Sequence, residues 1–315
     1  MVSVSFPGFR KKKNEQTAPH SLSLPAARSL PTRAAGEAAA ANSRQVCRPS
    51  GWPFQTLDMC LFLLKCWWSM VSRIGSRRLC AAARFLIPRY RSTLFFSEVP
   101  PGGCARVALT IDDGICRGEA ADSLAPAVVE LLQRHGARAT FFVCSDYCSP
   151  DAAAALLAAG CELGNHLKRD QPYALAAADA FEADLLECDE LIRRCHAETP
   201  PPTGAAERGR WYRSPQGVLT RRMRDVLARQ RGMVHVLGDA YCDDWAVDDP
   251  AFISRTLLRM AQPGSIIIMH MPEAKCRRWC LDALRLLLEG LGERGLACVT
   301  LSELRRPAAV AKLKS

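Results

Sequence analysis

Val107–Gly114 reads VALTIDDG, an apolar, β-branched run that carries two adjacent carboxylates, Asp112 and Asp113, into a glycine turn. A continuous apolar run of this length suits a strand covered on both faces, as in a parallel sheet. Asp-Gly is ordinary turn chemistry, so the stretch takes its meaning from what surrounds it. Outward from it, short apolar runs alternate with longer stretches of helical period. Strand candidates are Arg106–Asp112, Arg138–Val143, Cys161–Asn165, Trp211–Arg213, Met233–Gly238, Ser265–His270 and Leu296–Leu301. Helix candidates lie around Ala121–His135, Pro150–Ala159, Leu175–Cys195, Leu219–Arg231, Pro250–Met260 and Arg277–Arg294. Such alternation implies parallel pairing with right-handed crossovers.

An open doubly wound sheet would satisfy the same alternation, and the polar residues separate the two. Asp112, Asp113, His166, Arg213, Asp239 and His270 each fall at, or just after, the end of a predicted strand, and they come from five strands. In a closed barrel those ends converge on one face, whereas an open sheet would spread them too widely to meet one substrate. The expected fold is α/β, a (β/α) barrel over residues 104–303.

Charge is divided unevenly along the chain. The net charge is +10, but residues 1–100 hold fifteen Lys/Arg against four Asp/Glu, about +11, and the remainder balances at about −1. The predicted barrel therefore has no basic excess of the kind nucleic-acid enzymes show, and no nucleic-acid partner is expected. Residues 1–56 are rich in Ala, Ser, Pro and Arg and poor in acids, as targeting leaders and disordered segments are. Residues 57–103 read as an apolar and basic helical extension and linker, and 304–315 as a basic tail. Within the extension, Met59–Val71 (MCLFLLKCWWSMV) is apolar for 13 residues, short of the ~20 that span a bilayer. It suits an interfacial or anchoring helix that associates with a membrane, and equally a helix packed outside the barrel. Secretory, membrane-anchored, organellar and cytoplasmic locations all remain compatible with these signals. The fifteen cysteines show no zinc-finger spacing, and their dispersal resembles buried thiols more than a disulfide framework.

The reactive residues suggest a metal-assisted hydrolysis. Gly164–Asp170 reads GNHLKRD, with His166 and Asp170 four apart; with the two carboxylates they form a His/Asp/Asp set suited to a divalent ion. Trp211–Gly217 reads WYRSPQG, where Arg213 offers a planar fork for a carboxylate. Gly264–Pro272 reads GSIIIMHMP, a buried strand ending in His270. Histidine is the side chain best matched to donating a proton near neutral pH.

The ordered series TIDDG, GNHLKRD, RSPQG, DDW and MH resembles the five motifs of the polysaccharide deacetylase (NodB-type) family, over about Arg106–Leu304. The resemblance implies a distorted barrel, often of seven strands, and release of acetate from an N-acetylated or O-acetylated glycan. It implies Asp112 as the general base acting on water at the metal, and Asp113, His166 and Asp170 as ligands. Arg213 would orient Asp112. Asp239 or Asp244 would orient His270, the general acid, and Asp243 competes for the same role. Tyr212, Pro215 and Trp245 would line the substrate. Zn²⁺ is the expected cofactor, with Co²⁺ and Mn²⁺ also suited. One departure stands out: the family's usual second histidine is Asp170 here. Two other functions share these residues, hydrolysis of linear amides and a catalytically silent carbohydrate-binding role.

Overall fold

The computed structural model describes residues 54–99, 105–200 and 208–306. The expected leader lies outside them apart from residues 54–56, as does the expected tail from residue 307. Seven strands are present among the described residues: β1 (Arg106–Gly114), β2 (Thr140–Val143), β3 (Glu162–Asn165), β4 (Arg210–Tyr212), β5 (Met233–His235), β6 (Ile266–His270) and β7 (Ala297–Val299). All pairings between them are parallel, in the order β5-β4-β3-β2-β1-β6. Each matches a predicted strand, most of them trimmed by one to three residues.

Sequence alternation explains how β1 serves two cores. Val107, Leu109 and Ile111 pack outward against the surrounding helices, while Ala108 joins Phe142, Trp211, Val236 and Ile266 in the barrel interior. The barrel is distorted at two places. Strand β7 pairs with β1 over Arg106–Ala108, and β2 pairs with the same strand from Thr110 upward. On the far side, β5 and β6 are joined above by a single bridge, Ala240↔Ile267, and below by the segment carrying Leu94 and Phe96, which bridge to Val236 and Ser265. Two glycines permit this crowded closure. A Cβ on Gly238 would sit 2.5 Å from the Ile266 carbonyl oxygen, and one on Gly264 (φ +84°) 2.0 Å from that of Ser97.

Among the described residues, two helices precede the barrel, α1 (Phe54–Ile74) and α2 (Ser76–Leu86). Next come α3 (Ala125–Arg134), α4 (Pro150–Ala158), α5 (Ala178–Glu198), α6 (Arg221–Arg229), α7 (Pro250–Met260), α8 (Trp279–Glu293) and α9 (Leu301–Arg305). Met59–Val71 packs outside the barrel on one face, as the second of the two readings expects. One face of α1 is tied to the barrel through Lys65 to Asp249 at 2.9 Å and Trp68 Nε1 to Asp243 at 2.8 Å, with Val71 buried. The other face is exposed. Among the described residues, no helix is long and apolar enough to cross a membrane.

Candidate active site

The site grows from an irregularity in β1. Ile111 is level with Phe141, but Gly114 is level with Val143, so one extra residue bulges out between them. Asp113 lies in that bulge with φ 60°, a left-handed conformation that aspartate tolerates better than most side chains. A regular strand would send consecutive side chains to opposite faces. The bulge instead keeps both carboxylates at the barrel mouth, each among different neighbours.

Asp112 meets Arg213, whose Nη1 donates to Oδ1 at 2.5 Å and to Thr110 Oγ1 at 2.8 Å. The guanidinium lies 4.1 Å from the Phe142 ring centroid and is 1% exposed. Removing one partner of such a buried pair costs about 3–5 kcal/mol, so this contact holds the fold as well as the carboxylate. Strand register sets Asp112 level with His270.

Asp113, His166 and Asp170 each bring a ligand atom within 4.8 Å of the others. His166 Nδ1 is 2.8 Å from the Arg213 carbonyl oxygen. A carbonyl only accepts, so Nδ1 carries the proton and Nε2 is turned toward Asp113 Oδ1, 3.5 Å away. Asp113 Oδ1 is buried with no hydrogen-bond partner, while Oδ2 accepts from Arg277 Nη1 at 2.8 Å and from Arg117. These residues fit a divalent ion: one orphaned carboxylate oxygen, one imidazole nitrogen and a nearby second carboxylate. Burial lowers the proton affinity of His166, and the charges of Asp112 and Asp113 outweigh it, for a net rise. Burial works to raise the Asp113 carboxyl, but the nearby His166, His270 and Arg277 hold it well below the usual carboxylate range. Protons and a divalent cation would thus compete for His166 Nε2.

Opposite stands His270. Both oxygens of Asp244 grip it, Oδ1 2.7 Å from the ring Nδ1 and Oδ2 accepting from the backbone N–H at 2.8 Å. Nδ1–H therefore points at the carboxylate and Nε2 is left for the site. Burial depresses the imidazole, but Asp244 more than compensates, so it holds its proton to higher pH than a free histidine.

A polysaccharide deacetylase model matches residues 100–234. The chain is 24% identical to a Bacillus cereus peptidoglycan-N-acetylglucosamine deacetylase over 203 residues, covering 64% of this chain and 68% of that one. It is 26% identical to a Bradyrhizobium chitooligosaccharide deacetylase over 219 residues, 64% of this chain and 91% of that one. Residues 100–234 thus form a region similar to the polysaccharide deacetylase family. Its barrel also superposes on a family 4 carbohydrate esterase pseudoenzyme from Bacillus anthracis, with TM-score 0.54 at 20% identity over 67% of each chain.

Several residues named for this family stand elsewhere than expected. Of the three competing aspartates, Asp244 reaches His270. Asp239 does not: it lies below the mouth, where it accepts from Arg77 Nε at 2.8 Å, Ser265 Oγ at 3.1 Å and the Ile266 N–H at 2.9 Å. Asp243 accepts from Trp68 and Tyr241. Tyr212 is fully buried among Tyr173, Phe181 and Met223, its hydroxyl 3.0 Å from Ser214 Oγ, so its side chain faces a packed core away from the mouth, and Pro215 in the turn that follows is also buried. Trp245 is 50% exposed at the mouth, its Nε1 donating to the Tyr241 hydroxyl at 3.0 Å.

The polysaccharide deacetylase motifs do not include Arg117 or Arg277, and sequence reasoning missed both. Arg117 also donates to Asp170 at 3.0 Å, so one guanidinium joins two ligand carboxylates. Its position four residues after Asp113 was the available signal. Arg277 is 164 residues from its partner, and nothing in the sequence marks it.

Proposed function

We propose that this protein is a metal-dependent hydrolase that removes acetyl groups from N-acetylated carbohydrate. The supporting observation is the division of labour around the mouth: Asp112 held by Arg213 and level with His270, His270 held by Asp244, and a separate Asp113/His166/Asp170 set beside them. A divalent ion held by that set would polarise the acetyl carbonyl and lower the pKa of water. Asp112 takes a proton from water as its oxygen adds to the acetyl carbon. His270 gives a proton to the departing nitrogen as the C–N bond breaks, leaving acetate and a free amine. Trp245 offers an apolar wall to a sugar ring. With few exposed aromatics nearby, a short glycan suits the mouth as well as a polymer.

Asp170 stands where the family usually has an imidazole. Its bond to Arg117 makes a ligand and partner with no net charge, as an imidazole has none, and this offsets the charge that an added carboxylate places on the ion. Arg277 plays a related part, since it occupies Asp113 Oδ2 and leaves Oδ1 to face His166.

The test is acetate release from a panel of acetylated oligosaccharides, with and without chelator, by the parent and Asp112→Asn. The variant should bind Co²⁺ as the parent does and turn over roughly 10²–10⁴-fold more slowly. Equal turnover would remove Asp112 from the base role. A second reading, a catalytically silent carbohydrate binder, draws support from Arg117, a cation already seated between two ligand carboxylates. A Co²⁺ titration separates the two, because the silent binder would show no saturable binding at this site.

A further inference from the structure

The face of α1 turned away from the barrel carries Phe62, Leu63, Trp67, Met70 and Ile74, each roughly half exposed. Leu63, Trp67, Met70 and Ile74 recur at spacings of four, three and four, which places them in one stripe with Phe62 at its edge. Phe85 and Leu86 near the end of α2 are more exposed still, at 81% and 71%. Proteins seldom leave an apolar stripe like that of α1 in water without a use.

Charge narrows what could cover this surface. Residues 54–97 contain seven Lys/Arg and one acid, Asp58. Lys65 and Arg77 are committed to Asp249 and Asp239. The other five, Arg73, Arg78, Arg84, Arg89 and Arg91, are exposed. A covering surface must therefore be apolar at its centre and negative around it. The chain before residue 54 is a poor match, since it holds eight Lys/Arg against two Asp/Glu. A second copy of the same face would set arginines against arginines. A bilayer with anionic headgroups meets both requirements: Trp, Phe and Leu enter the headgroup–acyl boundary, and the guanidiniums meet lipid phosphates and carboxylates.

We propose that the exposed face of α1 and α2 docks on an anionic membrane surface, with α1 lying along the interface. The opposite faces of the two helices keep their bonds to the barrel, so docking carries the whole folded unit to the membrane. The basic segment before residue 54 adds to the same attraction, a second electrostatic contribution that strengthens an otherwise marginal interfacial helix.

Vesicle sedimentation of the full-length protein tests this. Phosphatidylcholine vesicles and mixed phosphatidylcholine/phosphatidylserine vesicles are the probes. The parent should sediment with the mixed vesicles, and binding should fall as salt is raised. Phe62→Ser and Trp67→Ser should each weaken it by roughly tenfold, the effect of withholding one large apolar side chain from burial. Arg78→Glu with Arg84→Glu should weaken it at least as much. These side chains are exposed, so unchanged circular dichroism and thermal melting identify variants that fold as the parent does. Equal affinity for both vesicle types would overturn the proposal, and so would no binding to either. Binding unaffected by Phe62→Ser and Trp67→Ser would assign it to the basic leader and reject the face. Concentration-dependent dimers broken by Trp67→Ser would give the face to a second copy and reject the lipid.

Discussion

His166 and His270 are the two imidazoles at the mouth, and the contrast between them lies in what holds Nδ1. A backbone carbonyl holds His166, and a buried carboxylate holds His270. A carbonyl fixes the tautomer with no full negative charge, so Nε2 remains a neutral donor to an ion. A carboxylate fixes the same tautomer and also stabilises the imidazolium, which suits a group that must carry a proton and release it. The lesson is that a ring's outer partner assigns its task. The two sides share Asp113, whose charge acts on both rings.

The contrast breaks most visibly with alanine. His166→Ala should abolish saturable Co²⁺ binding and turnover together. His270→Ala should leave Co²⁺ affinity as it is, slow amide substrates by roughly 10²–10⁴-fold, and slow activated esters much less, because a good leaving group needs little protonation. Equal losses on amide and ester, or metal loss in the His270 variant, would erase the distinction. Next in size is Asp244→Asn. Removing the partner that orients a histidine typically costs ten- to a hundredfold, roughly. The pH profile carries the sharper reading. A general acid must be protonated, so activity falls as pH rises through the raised value that Asp244 sustains on His270. Burial alone would lower that value, so the variant should lose activity at lower pH than the parent. A descending limb that stays in place would show that Asp244 does not tune the acid.

The smallest effect is expected at Arg117. Arg117→Gln takes a positive charge from beside two ligands, and Co²⁺ affinity should rise by about three- to tenfold, given screening at a partly exposed site. In an Asp170→Asn background the gain should shrink, because the pair acts through its shared charge. An undiminished gain would place Arg117's influence on Asp113 alone.

Strand number, parallel order and the mouth were legible because apolar period and strand-end polarity are local signals. Helix α7 spans the predicted Pro250–Met260, bounded by an Asp249 N-cap and a proline in the first turn. Helix α5 starts three residues later than predicted and runs three further, since no capping side chain fixes its ends. Asp112, Asp113, His166, Arg213 and His270 were also legible as candidates, as each ends or follows an apolar run, and Asp170 by its spacing of four from His166. The sorting of Asp239, Asp243 and Asp244 was not. Three acids within six residues carry the same local chemistry, and they are told apart only by Arg77, Trp68 and His270, which arrive from distant parts of the chain. The β1 bulge was equally hidden, because a single extra residue leaves no mark on composition or period.

Arg77 on Asp239 sets the limit of what can be cut away. The family match begins at residue 100, yet Asp239, with its side chain fully enclosed, relies on a guanidinium from α2. Burial already pushes that carboxyl upward, and Arg77 restrains it. A chain started at β1 would strip the acid of its counter-charge, at a cost of about 3–5 kcal/mol against a typical total stability of only ~5–15 kcal/mol. The family match and the folded unit thus begin in different places, and a helix that precedes the match keeps the floor of the barrel electrically sound.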